Sequence, residues 1–212
     1  VKLSKRLKQI EQMVTSEYSH IWDCCCDHGF LGAALLSKNI AEHIHFVDIV
    51  PELMNELNGK LHNFYPNDQW TTHCIDVANL PLEQYKGEHL IIIAGVGGDL
   101  MIKFINEIID KHPTLNIDFL LCPVHHQYNL RKQLILNDFR CVDEVLIKEN
   151  KRFYEVIYVS STIENTYKIS SVGENIWHFK CSEQGKIAEE YLSKTLEHYQ
   201  RIQNGKTTDV QY

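Results

Sequence analysis

A chain of 212 residues, 44% hydrophobic and 23% charged, has the length and balance for one full core plus an appendage. Its net charge of −7 excludes a protein coated in basic surface for nucleic acid, while leaving room for a local patch. No apolar run is long enough to span a bilayer, and residues 1–10 lack the apolar segment of a signal peptide, so the expected location is the cytoplasm.

The N-terminal stretch predicts a short helix over residues 4–13, with Leu3, Leu7, Ile10 and Val14 on one stripe. Lys2, Lys5, Arg6 and Lys8 give it a basic character that the rest of the chain lacks. A first strand is expected over 20–25, ending in small residues and two acids, Asp23 and Asp27. His28 and Gly29 follow, then a helix over 30–38. Strand, tight turn and helix N-terminus form a nucleotide-type cofactor loop, although Cys25 and Asp27 stand where the first two glycines of the usual fingerprint would be. Residues 43–48 read as a second strand that again ends on an acid, Asp48. Pro51 opens a helix with Leu53, Leu57 and Leu61 at spacings of four.

A third strand over 70–75 ends at Asp76. The continuously apolar run 89–94 is the signature of a strand buried on both faces of a parallel sheet, and it runs into Gly95-Val96-Gly97-Gly98 and a helix over 100–110. A fifth strand, 119–122, is stopped by Pro123 and followed by a helix over 130–137. Residues 142–148 and 153–160 then form a hairpin. Strand–helix alternation closed by a hairpin predicts an α/β fold: a doubly wound, Rossmann-like, mostly parallel sheet of seven strands with one antiparallel strand. Residues 1–160 would form the cofactor-binding domain. Residues 161–212 would be a C-terminal extension, irregular at first and helical over 183–203.

Ligands on such sheets bind beyond the carboxyl ends of the strands, where the winding reverses. Asp23 with Asp27, Asp48, Asp76 and the glycine run Gly95–Gly98 all fall at strand ends and should converge on one crevice. Singly, each acid is more simply a helix cap or turn former; together they suggest a site. A carboxylate after the second strand suits ribose hydroxyls, and one after the third suits an adenine amine. Asp27 would repel a pyrophosphate but could hold an ammonium group. S-adenosylmethionine, with ribose, adenine and an amino-acid tail, therefore fits better than a dinucleotide. No phosphate-loop motif is present. A metal site from Cys24, Cys26 and His28 lacks a second ligand pair at zinc spacing, so no metal is expected, and the seven cysteines read as free thiols.

The loop Asp23-Cys24-Cys25-Cys26-Asp27-His28-Gly29-Phe30-Leu31 resembles the D-x-G-S-D-H-A-Y-L loop of the bacterial tRNA (adenine-22 N1)-methyltransferases. Lys2-Leu3-Ser4-Lys5-Arg6-Leu7 is similar to that family's K-L-S-K-R-L, and Gly95-Val96-Gly97-Gly98 to its G-M-G-G. Later segments around Leu130-Arg131, Val142–Val145 and Tyr154–Val156 match in order. The likeness covers about residues 2–160 and implies a class I methyltransferase fold using S-adenosylmethionine, with tRNA as partner. It implies cofactor contacts at Asp23, Cys25, Asp27, His28 and Gly29 for the methionine end. Asp48 and Ile49 would meet the ribose, Asp76 and Val77 the adenine, and Gly95 and Val96 the reacting side.

Asp76, Gly95 and Gly97 are the candidate catalytic positions, and Lys5, Arg6, His125 and His126 the candidate RNA contacts. Asp99 is a second candidate for the carboxylate that stabilises a methylated, cationic ring. The chain departs from the family in having Cys25 for the motif glycine, Ile75-Asp76-Val77 for G-D-G, and Cys122-Pro123-Val124 for Q-P-N. It also has one helix where the family has a long helical hairpin. A small-molecule or protein substrate, or binding without catalysis, are the alternatives.

Overall fold

The computed structural model describes residues 3–14, 18–66, 69–162, 166–179 and 181–208, with side chains to 205. Lys2 lies outside the described residues. Helix α1 (Lys5–Met13) is capped by Ser4, whose Oγ accepts the Leu7 N–H at 3.3 Å, and it buries Ile10 and Met13. Then follow β1 (Tyr18–Cys24), α2 (Phe30–Ser37), β2 (Ala41–Asp48), α3 (Pro51–Phe64) and β3 (Trp70–Cys74). The chain continues through β4 (His89–Ala94), α4 (Gly98–Lys111), β5 (Ile117–Cys122), α5 (Gln127–Leu136), β6 (Arg140–Glu149) and β7 (Arg152–Ser160). It closes with a two-residue strand β8 (Tyr167–Lys168) and α6 (Ser182–Thr208). No helix among the described residues is long and apolar enough to cross a membrane.

Among the described residues one sheet holds all the strands, in the order β3-β2-β1-β4-β5-β7-β6-β8. The first five are parallel, and β7 runs antiparallel between β5 and β6. The seven expected strands are all present. The eighth, β8, pairs antiparallel with the start of β6 and had no sequence signal, because two residues are too few to show alternation. Side chains alternate across the pleat of β4: Leu90 and Ile92 pack with α1, α2 and α3, and Ile91 and Ile93 pack with α4 and α5. Both faces are thus covered, as an uninterrupted apolar strand requires.

Two polar arrangements are embedded in this apolar frame. Across β1, β2 and β3 imidazoles stand in a row: His73 Nε2 lies 3.0 Å from His45 Nδ1, and His45 Nε2 lies 3.1 Å from His20 Nδ1. His20 Nε2 then meets the Lys86 carbonyl at 3.1 Å. A carbonyl can only accept, so His20 carries its proton on Nε2, and each ring behind it must do the same. Trp22 donates to His89 Nδ1 in the same sense and stacks on His45 at 3.7 Å. Burial holds these rings neutral, lowering His45 to about 2 and His89 to about 4.

The second arrangement fastens the C-terminal segment. Arg131 of α5, only 1% exposed, donates through Nε to Glu155 of β7 at 2.7 Å and through Nη1 to Glu144 of β6 at 2.6 Å. The other oxygen of Glu144 accepts the backbone N–H groups of Glu174 and Asn175, and that of Glu155 accepts the Tyr191 hydroxyl from α6. Every carboxylate oxygen is occupied, which is what makes buried charge tolerable.

Candidate active site

The strand order reverses between β1 and β4, so the crevice opens beyond their carboxyl ends. A cleft of about 290 Å³ lies there, lined by the loop after β1, by Gly95 and Val96 after β4, and by Arg6 and Leu7 of α1. Among the expected cofactor residues, Asp23, Cys25, Asp27, His28, Gly95 and Val96 line it directly. Gly29, Asp48, Ile49, Asp76 and Val77 stand outside its wall, on or just after the neighbouring strands β1, β2 and β3.

The loop is held open by its own backbone. Cys25 (φ 56), Asp27 (φ 49) and Gly29 (φ 69) all adopt left-handed conformations. Asp48 anchors the loop from the next strand: Oδ2 accepts the Asp27 N–H and Oδ1 the Val50 N–H, each at 3.1 Å. Asp23, 5% exposed, accepts the Gly32 N–H at 2.8 Å and so ties β1 to the first turn of α2. Burial, reinforced by the nearby Asp48 charge, pushes the Asp23 carboxyl up to about 7 against the opposing pull of the Gly32 hydrogen bond. Asp27 is exposed, with His28 at 3.6 Å. Asp76 caps the short turn that follows it, Oδ1 accepting the Ala78 N–H at 2.9 Å, which leaves Oδ2 available. Val77 is buried in the core, so only its backbone faces outward from the turn.

The three adjacent cysteines are free thiols. Burial and the surrounding carboxylates push Cys25 up to about 12 and raise Cys24 and Cys26 as well, so none is a ready nucleophile. Among the described residues no cluster of three or more His, Cys, Asp or Glu side chains is placed to hold a metal.

The glycine run after β4 is bonded to the loop after β5. Val124 N–H donates to Val96 at 3.0 Å and Gly98 N–H to His125 at 2.9 Å. A Cβ at Gly97 would lie 2.2 Å from Cε1 of the His125 ring, and one at Gly98 would lie 2.6 Å from the His126 carbonyl oxygen. Glycine at both positions is thus demanded by the neighbouring loop itself. His126 Nδ1 sits 2.6 Å from Asp99 Oδ2 at the start of α4. His125, His126 and Asp99 are in this way carried to the rim of the β4 loop.

The basic face of α1 is not laid out as a patch. Lys8 pairs with the buried Glu11 at 2.6 Å, and Lys38 pairs with the other oxygen of Glu11 at 3.0 Å. Arg6 points into the cleft, its guanidinium 5.0 Å from the ring centre of Tyr154 and 3.8 Å from where a Gly95 Cβ would stand. Its buried Nε has no hydrogen-bond partner among the described residues. Of the candidate RNA contacts on this helix, only Lys5 is an exposed side chain. Tyr154, Phe30 and Leu31 carry part of the sequence resemblance but are not among the site residues expected from it. No spacing links Tyr154 to Arg6, and the other two read as ordinary helix residues.

Comparison with known proteins agrees with this geometry. A family model described as a methyltransferase domain matches residues 3–157. A Mycoplasma genitalium protein provisionally named as a tRNA methyltransferase is 26% identical over 183 residues, covering 84% of this chain and 80% of its own length. Among solved structures, the B. subtilis m1A22 tRNA methyltransferase TrmK superposes with a TM-score of 0.78 at 20% identity, over 100% of this chain and 90% of that one. M. capricolum TrmK, solved with S-adenosyl-homocysteine, gives 0.73 at 20% identity, over 95% and 87%.

Proposed function

The chain belongs to the methyltransferase-domain family, and from that premise we propose that it transfers a methyl group from S-adenosylmethionine to N1 of an adenine in tRNA. The observation that carries this reading is the cleft at the β1/β4 reversal, where acids and glycines from successive strand ends meet. The likeness to a provisionally named tRNA methyltransferase and to TrmK supports the substrate class.

The residues present suit the cofactor. Arg6, with an unpartnered buried donor in the cleft, is matched to the carboxylate of an amino-acid tail, and Asp27 and Asp23 to its ammonium group. Asp48 is placed for the ribose through its remaining lone pairs, and the free Oδ2 of Asp76 for the adenine amine. His28, Gly29, Ile49, Val77 and Cys25 contribute loop backbone and shape. Bound S-adenosylmethionine supplies a methyl group on a cationic sulfur.

The chain's own work is positional, since adenine N1 carries its lone pair and needs no strong base. Gly95, with only the Arg6 guanidinium near it, leaves room for a base edge to approach, and Gly97 acts by admitting the His125 ring beside it. Asp99, beside His126, is placed to stabilise the positive charge that develops on the ring, and His125 and His126 flank the entering base. Lys5 is the α1 side chain left to meet the phosphate backbone. We read residues 161–212 as a helical C-terminal extension, and with tRNA as substrate the place of action is the cytoplasm.

The test is nucleoside analysis of tRNA incubated with the protein and labelled cofactor. The expected product is 1-methyladenosine. Label on a metabolite or a protein, with none on any tRNA, would reassign the substrate.

A further inference from the structure

A second cavity, about 930 Å³, lies between the turn at Val124–Tyr128, the start of β7, the segment around Trp177, and α6 from Tyr191 to Tyr199. Two contacts join it to the cofactor cleft. His125 and His126 line it on one side and brace Gly97 and Gly98 on the other. Tyr154 lines it too, while its partner Arg6 lines the cleft, so that pair forms the partition between the two spaces.

Its walls combine flat rings with cations. Trp177 and Tyr191 are stacked at 5.9 Å and 18°, and Lys194 stands 5.0 Å over Phe153. Tyr128 and Tyr199 are 44% and 53% exposed. Arg152 and Lys194 line the space as cations and His198 as a further ring, and the one acid that lines it among the described residues, Glu155, has both oxygens engaged, by Arg131 and by the Tyr191 hydroxyl. An apolar helix laid here would bury those cations without partners, at a cost no apolar contact offsets. A strand of unpaired nucleotides gives each ring a base to stack on and each cation a phosphate.

We propose that this groove holds single-stranded nucleotides next to the target base, so that a base entering the cleft past Gly95 leaves its neighbours stacked along Tyr128, Trp177 and Tyr199. The assignment rests on the methyl-transfer reading, because it takes the base in the cleft and its neighbours in the groove to belong to one strand. The site is preorganised: the Arg131–Glu155–Tyr191 linkage fixes three of its walls to each other.

Hexaadenylate RNA, titrated with Trp177 fluorescence as the signal and Trp177→Phe as the blank, tests it directly. Single-stranded hexamer should quench Trp177, and a blunt RNA duplex should not. The double variant Tyr128→Ala/Tyr199→Ala, at exposed positions, should weaken hexamer binding at least about tenfold. It should raise the Michaelis constant for tRNA and keep the affinity for S-adenosylhomocysteine. Quenching that persists in a protein that methylates no tRNA would sink the reaction assignment and keep the groove. Methylation of tRNA with no quenching and an unchanged Michaelis constant in the double variant would overturn the groove and keep the reaction. A dimer by sedimentation that this variant dissociates would give the groove to a second copy instead, and likewise overturn the assignment.

Discussion

Cys25 sits at φ 56, a conformation that costs a side-chain-bearing residue about 1–2 kcal/mol. Glycine relieves that strain but loses about 0.5–1 kcal/mol of chain entropy, so Cys25→Gly should leave the melting temperature unchanged or raise it slightly. Cys25→Val, β-branched, should lower it; the order Gly, Cys, Val in thermal unfolding checks the backbone conformation.

Asp23 offers a separate test. Its carboxyl, raised to about 7 by burial, makes the ligand-free fold lose stability as pH climbs from about 4 through 7. A cofactor ammonium placed beside it reverses the shift, so binding should expel protons. Calorimetry of S-adenosylhomocysteine in buffers of different ionisation enthalpy should show proton release near pH 6.5. The release should vanish near about pH 8.5 and in Asp23→Asn.

Among single residues, the acids at the strand ends were readable from sequence, because each closes a stretch expected to be a strand or the turn after it. Their division of labour was not. Asp76 caps a turn and Asp23 ties a helix, roles that depend on N–H groups brought in by the fold. Arg6 was read as one charge among four on a basic helix. Only its contacts with Tyr154 and Gly95, from distant stretches, turn it toward the cleft.

Among elements, the imidazole row joins β1, β2 and β3, and its neutrality carries a pH dependence. The rings bind protons less readily folded than unfolded, so their contribution is complete above about 6.5 and is lost as pH falls below that value toward about 4. Asp23 opposes this loss over the same range, so urea midpoints should fall through that window more steeply in Asp23→Asn than in the wild type, and adding His45→Gln should make the fall shallower. Strands and helices were legible because periodicity is local: His89–Ala94 was found residue for residue. Helix α4 begins two residues before its expected start, because Gly98 opens it against the backbone of His125. A glycine run reads as loop until the partner loop is known.

For the whole molecule, the Arg131 linkage joins α5, the hairpin, the segment around Asn175 and α6. Removing the cation strands two buried carboxylates, so Arg131→Met should cost about 3–5 kcal/mol in chemical denaturation. Lys60→Met, which breaks the exposed Lys60–Glu56 pair, should cost less than about 1 kcal/mol. The doubly wound order followed from alternating strands and helices. The groove under α6 did not, since Trp177, Tyr191 and Tyr199 read only as part of an irregular stretch and one helical stripe. What they cover is set by an ion pair between residues over twenty positions apart.

The bracing of the glycine run by the loop after β5 has a genetic consequence. Gly97→Ala is opposed by a side chain, the His125 imidazole, whereas Gly98→Ala is opposed by main-chain oxygen. In a selection for regained activity, revertants of the first should include second-site changes at His125 to smaller residues. Revertants of the second should be confined to codon 98, since no substitution removes a carbonyl. Compensation of Gly98→Ala by a single change at 125 or 126 would show that the two loops slide past each other freely.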